Sequence, residues 1–129
     1  MTVVPYPIIG KWMHYAILLH SDSPDKKDHH DIVLEIVEGN SLEEPHLDKL
    51  ETFQIDLEGT RIMVEPQDLI RRKYLTYEGP MSNNRGIVKR VDEGLYRILD
   101  DDSLEFDGNI LHGRYRFEGE EVLQLVKVS

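Results

Sequence analysis

The chain has 129 residues, no cysteine and a formal net charge of −10. A length of this order fits one domain around one core, and the missing cysteines exclude disulfides and thiolate metal sites. The acidic balance argues against a surface that wraps long nucleic acid, because such surfaces are ordinarily basic.

Residues 14–20 and 29–37 are apolar runs rich in Ile, Leu and Val, and residues 21–28 between them are nearly all turn formers. The pair therefore predicts two strands of a hairpin. Ser41 is placed to N-cap a short helical turn through Glu44, which Pro45 then interrupts. Phe53, Ile55 and Leu57 alternate with polar residues and predict a strand over 51–57, after which Gly59 turns the chain into a short strand at 61–65. Residues 66–73 form the best helix candidate, with Pro66 in its first turn. Strands are predicted at 87–91 and 95–99, joined by a hairpin turn at Asp92-Glu93-Gly94. Asp100-Asp101-Asp102, Asp107-Gly108-Asn109 and Glu118-Gly119-Glu120 then separate strands at 104–106, 110–117 and 121–128. Turns at this spacing predict a mainly β fold, an antiparallel barrel or sandwich with one or two short helices, in a single domain over residues 1–129. No apolar run reaches the ~20 residues of a membrane-spanning helix, and residues 1–7 lack the pattern of a signal peptide. The expectation is a cytoplasmic monomer without membrane contact.

Charge is unevenly spread. Residues 21–58 carry a net −9, whereas ten of the 15 basic residues lie between Arg61 and Arg116. Most of those are expected on solvated strand faces, although such a cluster could still hold a small anionic group such as a phosphate end.

The chemistry concentrates in His29-His30-Asp31, read together with His20. A strand sends alternate side chains to opposite faces, so His29 and Asp31 point one way and His30 the other. His20 ends the partner strand. Two imidazoles and a carboxylate converging from adjacent strands can hold a divalent cation, with Asp22, Asp25 and Asp28 of the loop as further oxygen donors. Such a ligand set suits Mn, Fe or Zn. The plainer reading is a pair of surface histidines beside an acidic loop. His14, His30, His46 and His112 read as structural or solvent-facing.

Three blocks of residues carry a resemblance. The first is His20 followed by His29-His30-Asp31-Ile32-Val33-Leu34-Glu35. The second is Tyr74-Leu75-Thr76-Tyr77-Glu78-Gly79-Pro80-Met81 with Arg85-Gly86-Ile87-Val88 and Asp92-Glu93-Gly94-Leu95-Tyr96. The third is Gly108-Asn109-Ile110-Leu111-His112-Gly113-Arg114-Tyr115 with Leu123-Gln124-Leu125-Val126-Lys127. In order and spacing they resemble the 3′-phosphoesterase domain of bacterial DNA ligase D, and especially its short stand-alone relatives, over about residues 13–128. The resemblance implies a β-barrel and a manganese ion held by His20, His29 and Asp31. It also implies removal of a 3′-phosphate or a 3′-terminal ribonucleotide at primer ends during DNA repair, with Tyr74 lining the active site. The partners implied are DNA or RNA 3′ ends or another phosphorylated substrate.

Two departures bear on that activity. The ligase-linked enzymes place a phosphate-binding arginine where this chain has Val33, and a histidine where it has Ile70. Arg71 and Arg85 are the nearest replacements. Loss of two preorganised donors, at a few kcal/mol of transition-state stabilisation each, leads to the expectation of a metal-binding domain whose phosphoesterase activity is weak or absent. Two other readings remain open. One is an H-x-D…H oxygenase built on His29, Asp31 and His112, with Arg114 or Arg116 binding a co-substrate acid. The other is a non-catalytic module that binds a repair partner.

Overall fold

The hairpin expected from the two apolar runs is present: β1 (Met13–Ser21) and β2 (His29–Glu35) pair antiparallel, with His20 opposite His29. The structure, a computed structural model, describes residues 9–24, 27–35, 49–56, 61–67, 70–81, 85–119 and 123–128. The remaining strands are β3 (Lys49–Asp56), β4 (Arg61–Pro66), β5 (Ile70–Arg71), β6 (Gly79–Pro80), β7 (Ile87–Ile98), β8 (Leu104–Asp107), β9 (His112–Glu118) and β10 (Leu123–Lys127). Neighbours run β1-β2-β3-β4-β10-β9-β8-β7, and β7 returns to pair with β1, closing an antiparallel barrel of 8 strands. Closure removes the unpaired edges that an open sheet would expose.

Alternation decides what each face of β1 and β2 does. Tyr15, Ile17, Ile32 and Leu34 point into the barrel, where Phe106 is the central ring. Phe106 meets Tyr15 and Tyr115 edge-on, at 5.1 and 5.5 Å between ring centroids, and stacks on Tyr96 at 6.0 Å. These offset and edge-on arrangements suit the ring quadrupoles. The alternate residues Ala16, Leu18 and Val33 point outward, yet they too are buried. With Leu50 and Val88 they form a second apolar cluster, roofed by Tyr74 from the 3-10 turn Arg72–Leu75. An apolar run with no alternation is the mark of a strand covered on both faces, and here the 72–81 segment supplies the outer cover.

Several expectations are corrected. Asp92-Glu93-Gly94 is not a hairpin turn, because β7 runs unbroken through it. The β1–β7 register shifts there, with Ile17 opposite Asp92 and Leu18 opposite Arg90, so Val91 is the extra residue of a bulge that bends the strand. Asp92 faces inward and accepts the Tyr15 hydroxyl at 2.8 Å and the Ile110 amide at 3.0 Å. The described residues of 66–73 form no α-helix. Pro66 ends β4 opposite Phe53, and the Gln67 amide donates to the Thr52 carbonyl of β3. Only the four-residue 3-10 turn follows. The strand expected to start at 110 starts at His112, since residues 108–111 close a turn through the Gly108 amide and Leu111 carbonyl. The helical turn expected at 41–44 lies outside the described residues. Among the described residues no helix is long and apolar enough to cross a membrane.

Candidate metal centre

The pairing of β1 with β2 puts His20 opposite His29 and Leu18 opposite Asp31. Because His20, His29 and Asp31 share the outward parity of Leu18, the three meet on the outer face of the barrel, at one end of the cluster under Tyr74. His29 Nε2 lies 3.3 Å from Asp31 Oδ2 and His20 Nδ1 lies 3.6 Å from it. All three ligand atoms lie within 4.8 Å of one another. Atoms bound about 2.1–2.2 Å from one cation stand roughly 3.0–3.1 Å apart along an octahedral edge and roughly 3.4–3.6 Å along a tetrahedral one, so the two carboxylate separations are close to ligand edges. The side chains are only 10–15% exposed.

The outer nitrogens decide what the inner ones offer. His29 Nδ1 lies 2.8 Å from the Lys27 carbonyl, and His20 Nε2 lies 2.5 Å from the Arg85 carbonyl. A carbonyl has no proton to give, so each of these nitrogens carries the hydrogen and donates it. In the neutral rings, His29 Nε2 and His20 Nδ1 therefore hold lone pairs, and both lone pairs face a carboxylate oxygen. With both rings neutral, three acceptors converge with no proton among them. That set fits a metal ion, and a carbonyl fixing the far nitrogen is the usual support of a ligating histidine.

The other expected residues fall in different places. Tyr74 is 1% exposed and packs on Leu18, Val33 and Leu50, and its hydroxyl has no hydrogen-bond partner among the described residues. The Lys73 ammonium stands 5.0 Å from its ring centre and 5.1 Å from that of Tyr77. Arg85 reaches the centre by its backbone carbonyl. Arg71 lies on β5 opposite Lys49, and Ile70 opposite Leu50; their side chains are outside the described ones. Val33, on the same face as Asp31, is fully buried in the apolar cluster. Of the loop carboxylates, Asp22 and Asp28 do not join the group, Asp28 accepting the Asp22 amide; Asp25 is outside the described residues.

His112 is not part of the group either. It sits on β9 beside Asp107 at 3.6 Å, in the row that runs through Leu95 to His14 on β1. His20 is six positions further along β1, roughly 20 Å at a strand's rise. What the sequence did not signal are the Lys27 and Arg85 carbonyls, since backbone acceptors have no residue signature.

The fold and site define a closed antiparallel β-barrel whose outer face carries a two-histidine, one-aspartate group that could hold a metal ion. No protein-family model matches the chain, and no curated protein matches it.

Proposed function

We propose that this chain is a Mn²⁺-binding domain of the 3′-phosphoesterase type, acting on 3′-phosphorylated or ribonucleotide-terminated ends with low turnover. The observation that carries the reading is the convergence of His20 Nδ1, His29 Nε2 and Asp31 Oδ2, with both outer nitrogens tied to carbonyls. Mn²⁺ is preferred to Zn²⁺ or Fe²⁺ on the resemblance of the three motif blocks. A cation there supplies polarisation of a phosphoryl oxygen and a more acidic bound water. Tyr74, Arg71 and Arg85 are the groups assigned to the phosphate side of the site, in a cytoplasmic, monomeric protein.

The low turnover follows from Val33. Its position is two residues from Asp31 on the same face, where an arginine would reach a metal-bound phosphate. Leu18, Leu50 and Tyr74 fill that direction instead. The same packing favours a second reading, in which the barrel keeps its metal but binds a repair partner without turnover. Incubation of the purified protein with Mn²⁺ and a primer ending in a 3′-phosphate separates them. Phosphate release above that of a His29→Ala control supports the enzyme, and no release above it supports the binding module.

A further inference from the structure

The carbonyl that meets His20 belongs to a residue 65 positions downstream, and the backbone there is arranged to let it approach. Pairing of β1 with β7 sets Ser21 opposite Ile87 and His20 opposite Val88, so Arg85 and Gly86 enter β7 alongside the end of β1. Gly86 has φ +102, in the left-handed region that favours glycine. A Cβ at this position would run into the Ser21 carbonyl oxygen and stand 3.0 Å from both His20 Nε2 and the Ser23 amide. The Gly86 carbonyl accepts the Met81 amide at 2.8 Å, which fixes this backbone against the end of the 72–81 segment.

We infer that the Arg85–Gly86 backbone is the positioning element of the metal centre. Gly86, by lacking a side chain, lets the Arg85 carbonyl reach His20 Nε2 and keep the Nδ1 lone pair turned toward Asp31. Arg85 thereby serves the cation through its main chain, whatever its guanidinium does for a phosphate. Without that acceptor the ring is free to carry its proton on Nδ1, where it donates to the Asp31 carboxylate. The cation then has to displace that proton. This inference rests on the metal reading proposed above.

The test combines metal affinity with the histidine tautomer, read by long-range ¹H–¹⁵N NMR on the metal-free protein with neutral imidazoles. The wild type is expected to show His20 protonated on Nε2. Gly86→Ala is expected to move that proton to Nδ1, leave the His29 signals in place and weaken Mn²⁺ binding by about 10–100-fold, the usual effect of losing an outer support. Arg85→Ala keeps the carbonyl and is expected to change Mn²⁺ affinity by less than about threefold. A backbone ester, with glycolic acid replacing Gly86, weakens the Arg85 carbonyl as an acceptor without adding a Cβ. It is expected to shift the same tautomer, and it decides the matter should Gly86→Ala fail to fold. An unchanged His20 tautomer in the folded variants overturns the inference, as does an Arg85→Ala loss equal to that of Gly86→Ala. A wild type that binds no Mn²⁺, with the tautomer shift still seen in Gly86→Ala, would sink the metal reading and leave the positioning role standing.

Discussion

Three ligand atoms held within 4.8 Å of each other gain from a cation placed among them when both imidazoles are neutral. A ligand that binds only the native state stabilises it by RT ln(1 + [L]/Kd), about 2.7 kcal/mol at a hundredfold excess over Kd. Mn²⁺ should therefore raise the thermal midpoint of the wild type by several degrees, and His29→Ala should show no such rise in the same calorimetric scans. Tyr74 offers a complementary test. Its hydroxyl is buried with no partner among the described residues, and burying an unsatisfied hydroxyl costs about 1–3 kcal/mol. Tyr74→Phe should leave urea stability unchanged or raise it by up to about 1 kcal/mol, while lowering any phosphate release. A fall in stability would mean that the hydroxyl has a structural partner and is not held for a substrate.

β7 is the element on which the barrel and the centre both depend, since it closes the barrel against β1 and follows directly on the Arg85–Gly86 backbone that meets His20. Its middle is fastened by Asp92, which accepts the Tyr15 hydroxyl together with the amides of Asn109 and Ile110. Removing that carboxylate takes an acceptor from one buried hydroxyl and two part-buried amides at once, so Asp92→Ala should cost about 3 kcal/mol in urea unfolding. A cost under 1 kcal/mol would show that water replaces it. The grouping of His20, His29 and Asp31 was legible in the sequence because it depends on one local hairpin and the two-residue period. The role of Asp92 was not, because Asp-Glu-Gly has the composition of a turn and its real partner, Tyr15, is 77 residues away. The helix expected over 66–73 failed for a related reason. Pro66 suits a helix start as well as a strand end, and only pairing with β3 chooses between them.

At the scale of the whole molecule, the closed barrel puts its aromatic residues where water cannot reach their hydroxyls. Burial raises the Tyr15 phenol far above its ordinary range, with the hydrogen bond to Asp92 and its negative charge adding to the effect. Tyr96 is raised likewise by burial and then by the Glu51 and Glu35 carboxylates. In the unfolded chain both titrate near the ordinary value of about 10. Below that pH the two states hold the same protons and these groups leave stability level. Above it the unfolded chain releases protons that the native barrel keeps, so stability falls as pH rises, by up to about 1.4 kcal/mol per pH unit for each tyrosine. Urea unfolding at pH 8, 9.5 and 11 should show a steep loss only between the last two. Tyr96→Phe should lose stability at pH 8, where its hydroxyl no longer reaches the Glu35 carbonyl at 2.6 Å, yet follow a shallower slope beyond pH 10. Parallel slopes for wild type and variant would assign the alkaline loss to the general build-up of charge on a chain already at −10, and not to the buried phenols.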